Sequence, residues 1–313
     1  MLLLVQYTLL FASILMLVAL GGCFSEHSGV INLGLEGIMV MGALGGTLCM
    51  RALQGSVSGF PLVLIVILVS VASGMLYSAL LALAAIMFNA DQTIVGTAMN
   101  MLATALAPVL VRSINFSINP QDSSFTVGYI EGKQSFVMNI GGFEFSWYMA
   151  IAVVMLLVSH IVLYKTKFGL RLMACGEHPQ AADSVGINVY KMRWAGVIIS
   201  GFLGGLGGIS YVTAGVSEWK FEYGVAGFGF LALAVMIFGQ WKPVRILLAA
   251  LLFGFFRALS NTYFGFEWLT SLNIPGGVYN MFPYIISLIV LVFTSKKSRA
   301  PKAEGIPYDK GTR

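Results

Sequence analysis

Long runs of apolar residues, separated by short polar segments, occupy most of the chain up to residue 293. A transmembrane helix needs about 20 predominantly apolar residues to cross a bilayer. The runs are Leu2–Gly22, Leu35–Leu53, Pro61–Phe88, Thr93–Val111, Phe145–Tyr164, Met192–Ala214, Val225–Gln240, Val244–Thr262 and Val278–Phe293. This pattern predicts an all-α polytopic membrane protein with about nine transmembrane helices, some of them short or broken.

The composition excludes a soluble globular protein. Of the 313 residues, 58% are hydrophobic and 10% are charged, and the mean hydropathy is +0.87. A soluble protein needs a more polar surface than this composition supplies. The 36 glycines suit membrane helices, because small residues let helix backbones approach closely. The apolar N-terminus lacks a basic region and a cleavage site, so we interpret it as a retained first helix.

Basic residues are concentrated in three polar segments. Five of the 18 Lys and Arg residues lie between residues 165 and 193, two are Lys242 and Arg245, and six follow residue 295. With nine spans these segments share one side of the membrane, which their positive charge identifies as the cytoplasm. Residues 1–295 then form one transmembrane domain with an external N-terminus. Residues 296–313 form a basic cytoplasmic tail that the composition predicts to be disordered.

The cytoplasmic loop of residues 165–191 contains start and stop signals for a short helix. Proline is favoured in the first turn of a helix, and glycine just after its end. Pro179 and Gly186 stand about two turns apart, with two alanines between them. A short helix on this face suits docking into a groove of another protein. From the loop alone, an ordinary solvated connector explains the pattern equally well.

The external segment of residues 112–144 and the second half of the chain carry scattered acidic residues. These acids give the outer face a mildly acidic character, which fits an extracytoplasmic partner. Scattered exposed acids are more commonly a solvated rim, so both interpretations stay open. The acids are Asp122, Glu131, Glu144, Glu218, Glu222 and Glu267.

Polar residues interrupt the chain near the start of the second apolar run. Asn32 and Glu36 lie among three glycines, so a continuous helix is not expected there. An ionised carboxylate at the bilayer centre costs about 3 kcal/mol. Glu36 is therefore expected to face the protein interior, a polar partner or the interface. An interior position makes both residues candidates for a translocation path. Alternatively, Glu36 caps the N-terminus of its own helix, where the helix dipole favours a carboxylate.

The fourth and seventh runs contain further candidates. Asp91 suits the N-terminal cap of the fourth helix, and Gln92 and Asn100 follow it. These two amides either line a cavity or make hydrogen bonds between helices. The region around Phe228 is short and interrupted by glycines, like the Gly29–Gly42 region. Short, interrupted segments at matching positions of two halves are typical of a transporter's central site.

The sequence offers no chemistry for an enzyme. Its three cysteines and three histidines are scattered, without the spacing of metal ligands. It contains no glycine-rich phosphate loop ending in Lys followed by Ser or Thr, and no nucleophile–base pair emerges. We therefore predict a non-enzymatic protein without a metal.

Three stretches of the chain carry a resemblance to a known family. They are Ser28–Gly37, Phe168–Ile187 and Phe228–Pro243. These stretches resemble the membrane permease subunits of ATP-binding-cassette (ABC) importers for branched-chain amino acids, ribose and nucleosides. The Gly-Leu-Glu-Gly form of the first stretch looks most like the branch that imports nucleosides, often purine nucleosides, and related simple sugars. The resemblance implies that residues 1–295 form a permease domain in a bacterial plasma membrane.

The resemblance also implies the other components of such an importer. A separate ATPase dimer uses ATP and Mg²⁺, so this chain needs no cofactor of its own. A second permease, expected to be a different chain because this one is short, completes the membrane part. An extracytoplasmic binding lipoprotein or periplasmic protein delivers a nucleoside or sugar. Membrane lipid surrounds the bundle, and no nucleic acid takes part.

Within the loop of residues 165–191, the resemblance implies a coupling helix that inserts into the ATPase. Family members commonly have Asn at the position of His178. This difference is expected to affect docking to the ATPase and not the class of protein. The residues assigned to coupling are Arg171, Gly176, Glu177, His178, Pro179, Ala181, Ala182, Asp183 and Gly186.

The alternative is an ion-coupled secondary transporter or a facilitator of small polar solutes. A secondary transporter would use Glu36 or Asp91 to bind a coupling ion at mid-membrane depth, yet both lie near the ends of predicted spans. A facilitator would leave the coupling-type loop without a purpose. The candidate path residues are Asn32, Glu36, Gln92, Asn100 and Phe228.

Overall fold

The computed structural model describes residues 2–216, 219–266, 271, 276–294 and 300–310, and in these ranges the chain is mainly helical. The helices are α1 (Leu2–His27), α2 (Leu35–Leu53), α3 (Phe60–Ala82), α4 (Gln92–Ile118), α5 (Ile130–Lys133), α6 (Trp147–Lys165), α7 (Lys167–Glu177), α8 (Pro179–Ser184), α9 (Val189–Ser210), α10 (Phe228–Phe238), α11 (Pro243–Thr262) and α12 (Gly276–Thr294). Strands β1 (Val137–Ile140) and β2 (Phe143–Ser146) form an antiparallel hairpin. π-helical turns extend α3 over Leu83–Met87 and α9 over Tyr211–Gly215.

Each predicted apolar run contains one of these helices, which confirms an all-α polytopic membrane protein. Within the described ranges, seven helices are long and apolar enough to cross a membrane. The run Val225–Gln240 instead holds a half-length helix. The 11 residues of α10 reach only about 16 Å, roughly half of the hydrocarbon thickness of a bilayer. Gly224 and Gly227, with φ angles of +54° and +77°, break the helical path before α10.

Helices α1 and α9 form the centre of the bundle. α1 packs against α6, α9, α10 and α11, and α9 also packs against α2 and α3. Glycines bring the backbones of α2, α3 and α9 into contact. A Cβ atom at Gly42 would lie 2.5 Å from Gly205 Cα, and one at Gly74 would lie 2.5 Å from the Gly201 carbonyl oxygen. The Ser70 hydroxyl lies 2.7 and 3.0 Å from the carbonyl oxygens of Gly42 and Gly205. Small residues thus hold these three helices together.

The segment between α4 and α6 covers one end of the bundle, here called the hairpin end. The Gln6 side chain of α1 donates a hydrogen bond to the Glu144 carboxylate of β2 at 3.1 Å, so the hairpin is joined to the start of the first helix. Glu144 and Glu222 of the predicted acidic face are exposed. Glu218 and Glu267 lie outside the described residues.

The opposite end, here called the basic end, carries α7, α8, the turn between α10 and α11, and residues 300–310. The turn is fixed to α1, because His27 Nε2 donates to the Trp241 carbonyl oxygen at 2.9 Å. Gln240 and Trp241 adopt left-handed φ angles of +51° and +54°. The loops predicted to share one side of the membrane therefore meet at one end of the bundle.

Residues 300–310, which are part of the tail predicted to be disordered, pack against the bundle. Ala303 and Tyr308 are 6% and 3% exposed, and the Ala303 amide donates to the Gly176 carbonyl oxygen at 2.8 Å. Composition does not show the surface on which this segment packs, because that surface is built by elements far away in the sequence. The other residues of the predicted tail, 296–299 and 311–313, lie outside the described residues.

Candidate functional site

The chain leaves helical conformation between α1 and α2, and Asn32 lies inside this break. Its side-chain oxygen accepts a hydrogen bond from the Gly34 amide at 3.1 Å. Its side-chain nitrogen donates to the Ser200 hydroxyl of α9 at 2.8 Å. Asn32 is completely buried. Non-helical backbone at membrane depth persists only where the protein supplies such partners, and Asn32 joins the break to the centre of the bundle.

Two side chains of α4 bind the same break from the other side. Gln92 accepts a hydrogen bond from the Ile31 amide at 2.7 Å. Asn100 accepts from the Gly37 amide at 2.8 Å and donates to the Leu33 carbonyl oxygen at 2.7 Å. Both side chains are buried. In this conformation the two side-chain amides make hydrogen bonds to the backbone of the break and of the first turn of α2. Of the two roles considered for them, lining a cavity or joining helices by hydrogen bonds, this arrangement corresponds to the second.

Glu36, in the first turn of α2, binds the N-terminus of α10. Its Oε1 atom accepts a hydrogen bond from the Gly227 amide at 2.8 Å, and its Oε2 atom accepts one from the Gly229 amide at 2.6 Å. The helix dipole of α10 favours a carboxylate at this position. Glu36 therefore caps a helix from the second half of the chain instead of its own helix. We call the contact between Glu36, Gly227 and Gly229 the Glu36 junction.

The Glu36 junction lies near half the depth of the bundle. Helix α10 runs from this junction to the basic end, a distance of about 16 Å. The two backbones are in direct contact, because a Cβ atom at Gly229 would lie 2.4 Å from the Glu36 nitrogen. A buried carboxylate thus holds the start of this short helix in place.

Phe228, the first residue of α10, belongs to a buried aromatic cluster beside the junction. The centroid of its ring lies 4.7 Å from that of Tyr211 and 5.7 Å from that of Phe11. The Arg257 guanidinium of α11 lies 5.3 Å from the Phe228 ring centroid. Tyr211 opens the π-helical turn that extends α9, and such turns are frequent at functional sites. The structure thus brings Phe228 next to the Glu36 junction.

Arg257 is a candidate that the sequence analysis missed. Its Nε atom is buried without a hydrogen-bond partner, and no ion pair of this residue is found among the described residues. A basic residue in the middle of a membrane helix costs about 2.5–3.5 kcal/mol and commonly marks a functional position. The signal was present in the sequence, because Arg257 lies well inside the apolar run Val244–Thr262, whereas Arg245 stands at its start.

The short helix predicted in the loop of residues 165–191 is α8. It begins at Pro179, and Gly186 follows its end with a φ angle of +83°. The positions assigned to coupling divide into two sets. Those that are exposed are Arg171, Glu177, His178, Ala181 and Gly186, and those that are buried or half-buried are Gly176, Pro179, Ala182 and Asp183. The first set lies on the exposed side of the basic end, and the second packs into that end.

Comparison with known proteins identifies the family to which the chain belongs. The family model described as "Branched-chain amino acid transport system / permease component" matches residues 4–294. The chain belongs to this permease family. No solved structure shows a significant match.

Several relatives match the permease over almost its whole length. The guanosine ABC transporter permease protein NupQ of Bacillus subtilis is 41% identical, over 99% of this chain and 97% of its own. The nucleoside ABC transporter permease protein NupC of Lactococcus lactis is 38% identical, over 96% and 95%. The putative glucose ABC transporter permease protein TsgC13 of Haloferax volcanii is 31% identical, over 90% and 88%.

The permease is thus a multi-pass membrane transport subunit and not an enzyme, and it works together with other subunits of an ABC system. Membership of this permease family does not favour the alternative of an ion-coupled secondary transporter or a facilitator. Four of the five candidate path residues make hydrogen bonds within one region at the start of α2, and Phe228 packs beside it. The coupling positions gather separately at the basic end.

Proposed function

We propose that the permease forms the translocation path of an ATP-driven importer for nucleosides, with purine nucleosides as preferred substrates. One observation carries this proposal: two relatives that match over nearly their whole length are named as permeases for guanosine and for nucleosides. A match along the whole chain includes the break before α2 and the half-length α10. Relatives named for glucose match at lower identity, and a simple sugar is therefore the second candidate substrate.

The basic end faces the cytoplasm in this proposal, with the C-terminus on the same side. Nine basic residues among those that the structure describes lie in the loop of residues 165–193, the turn between α10 and α11 and residues 300–310, and cytoplasmic loops carry such an excess. The hairpin end then faces outward, where an extracytoplasmic binding protein delivers the substrate. The membrane is the plasma membrane of a bacterium, as for the relatives of Bacillus and Lactococcus.

Helix α8 is the coupling helix in this proposal. Its exposed side and the neighbouring Glu177 and His178 contact the ATPase, which binds ATP and Mg²⁺. Closure of the ATPase dimer displaces α8, and rigid helices carry this displacement into the membrane. The permease supplies no chemical step of its own.

The partner permease is a different chain in this proposal. Lactococcus lactis has two nucleoside permeases, NupC and NupB, that both match this chain, over 95% and 44% of their own lengths. Haloferax volcanii likewise has two glucose permeases, which match over 88% and 69% of theirs. Two unequal permeases in one organism support a heterodimer, of which this chain is the shorter type.

The translocation path runs along the Glu36 junction in this proposal and includes Asn32, Gln92, Asn100 and Phe228. For substrate to pass, α10 and the break before α2 must separate. The polar atoms of these side chains then exchange backbone partners for hydroxyl and amide groups of a nucleoside. Polar groups at this depth are kept only where a partner is always available.

The deciding experiment is uptake by the complete transporter, purified from its native membrane with its partner chains and placed in liposomes. We expect ATP-dependent, vanadate-sensitive uptake of radiolabelled guanosine that excess adenosine reduces and excess glucose does not. Uptake driven by a proton gradient without ATP would contradict the importer assignment. If excess glucose reduces uptake and excess adenosine does not, the proposed substrate would be a sugar instead of a nucleoside.

A further inference from the structure

We propose that residues 300–310, here called the C-terminal strap, position the coupling helix α8 and transmit its movement to the Glu36 junction. The inference rests on the proposed function, because it concerns how that importer couples ATP hydrolysis to transport. Three sets of contacts carry it, each made by a different part of the strap.

The first contact fixes the last turn of α7, just before α8 begins. The Ala303 amide donates to the Gly176 carbonyl oxygen at 2.8 Å. On its other side, Gly176 lies directly against the end of α1, because a Cβ atom there would be 2.3 Å from the His27 carbonyl oxygen. Gly176 is therefore enclosed between the strap and α1. Glu177 and His178, which are exposed beside it, thus follow directly after a residue that the strap holds.

The second contact supplies the hydrophobic support of α8. Tyr308 forms a small cluster with Cys175, Ala182 and Val189, separate from the main core. Helix α8 has only six residues, of which Pro179 and Ala182 are buried. Isolated helices shorter than about 12–15 residues are marginal in water, so α8 depends on this cluster. Tyr308 is the one member contributed by the strap.

Aromatic and cationic neighbours hold the Tyr308 ring in place. Its centroid lies 5.3 Å from that of Tyr190, in an edge-to-face arrangement. The Arg193 guanidinium lies 5.9 Å from the same ring, and it is 1% exposed. Both residues belong to the first turns of α9, so the strap also ties α8 to the central helix of the bundle.

The third contact leads from the strap to α10. The carboxyl group of Glu304 is close enough to the buried Glu26 carboxyl group to interact with it electrostatically, and its Oε2 atom is buried without a hydrogen-bond partner. Glu26 in turn accepts a hydrogen bond from the Trp241 indole. Trp241 stands in the turn that follows α10, whose other end is held by Glu36. A continuous set of contacts therefore connects α8, the strap, α10 and the Glu36 junction.

The first test measures coupling in the complete transporter in liposomes. Removal of residues 300–313 and the Tyr308→Ala variant are each expected to raise the number of ATP molecules hydrolysed per nucleoside imported about tenfold, equivalent to about 1.4 kcal/mol. Tyr308→Phe, which keeps the ring, and removal of residues 311–313 alone are the matched controls and should behave as the parent protein. An unchanged ratio in both Tyr308→Ala and the 300–313 deletion would overturn the proposal.

The second test measures the position of α8 without transport. Ala182→Cys is buried on α8, whereas Lys191→Cys is at an exposed position outside the proposed ATPase contact, so only the first is protected from a membrane-impermeant maleimide in inside-out vesicles. Removal of residues 300–313 should speed labelling of Ala182→Cys about tenfold and leave Lys191→Cys unchanged. If Ala182→Cys is equally protected with and without the strap, the proposal that the strap positions α8 is refuted. Because this test needs no uptake, a failure of the nucleoside assignment is distinguishable from a failure of the strap.

Discussion

The Glu36 junction and the strap both hold two parts of the chain together, yet they use different forces. At the junction a carboxylate binds two backbone amides at 2.8 and 2.6 Å, among side chains that are almost fully buried. At the basic end the strap uses a small apolar cluster, one backbone hydrogen bond and contacts to aromatic rings. The junction is built from a few directional bonds, and the strap from several weaker ones.

The difference follows from the surroundings of each contact. Glu36 is buried, so water does not readily replace a lost hydrogen bond, and each polar atom left alone costs about 1–3 kcal/mol. At the basic end, water can replace a broken polar contact. We therefore expect the junction to exist in a few discrete arrangements and the strap to respond gradually to mutation and pH. The following predictions, ordered by their expected effect on stability, test this contrast.

Gly229→Ala should have the largest effect. The added Cβ atom would lie 2.4 Å from the Glu36 nitrogen, and backbone cannot move aside as a flexible side chain does. We expect a loss of about 3 kcal/mol in the free energy of unfolding and loss of uptake, measured by thermal unfolding in detergent and by transport. Gly128→Ala is the control, since a Cβ atom there has no neighbour within 4 Å. Equal stability of the two variants would refute the close packing of α10 on α2.

Glu36→Gln should have the next largest effect. The glutamine amide has one acceptor oxygen, so either Gly227 or Gly229 faces an NH₂ group and loses its hydrogen bond. We expect a loss of about 2 kcal/mol together with slower uptake. Glu222→Gln, an exposed position, should change neither quantity. If Glu36→Gln keeps full stability and transport, the two hydrogen bonds of Glu36 do not contribute to the junction beyond ordinary packing.

Arg257→Met should separate stability from transport. Methionine fills similar space without the charge, whose desolvation at mid-membrane depth is unfavourable. We expect thermal stability to stay within about 1 kcal/mol of the parent or to rise, while nucleoside uptake falls. The Arg257→Lys variant distinguishes charge from shape in the same assay. A clear loss of stability in Arg257→Met would instead show that the stacking on Phe228 is structural.

Glu304 should make docking of the strap dependent on pH. Burial raises the pKa of the Glu304 carboxyl group to about 7, so the docked state favours the protonated form. Docking is then fully stable below the ordinary pKa of about 4.3, weakens as the pH rises toward about 7, and stays weak above it. Labelling of Ala303→Cys, relative to the exposed Lys302→Cys, should therefore speed up over this range.

Glu304→Gln is the control for this pH dependence, because the amide stays neutral throughout. We expect the Ala303→Cys labelling ratio to become flat with pH in this background, with tighter docking than the parent shows above about pH 7. A parent ratio that is already independent of pH would show that the Glu26–Glu304 contact does not control docking.

The helices were predictable because the requirement that sets them acts on consecutive residues. A run of about 20 apolar residues must satisfy its own backbone in lipid, which leaves a helix as the solution. Pro179 and Gly186 likewise marked α8 through local backbone preferences. The glycines around Phe228 likewise indicated a short, interrupted segment, and the structure places the break at Gly224 and Gly227, whose positive φ angles precede α10.

The partners of the polar side chains were not predictable in the same way. Glu36 was considered for its own helix or for an open path, whereas its partners Gly227 and Gly229 lie 191 and 193 residues away in the chain. Asn32 and Ser200 are 168 residues apart. Composition could not show that residues 300–310 pack, because α1, α7 and α9 together form the surface that receives them.

The sequence by itself therefore determined the class of the protein, its helices, the common side of its basic loops and its family. Hydrophobic length, charge and motifs are carried by neighbouring residues and need no knowledge of distant contacts. The tertiary structure decided that Glu36 caps α10, that Arg257 lies over Phe228 and that the C-terminal strap supports α8. Each of these contacts depends on where helices far apart in the chain approach one another, which the shared packing of the whole bundle sets.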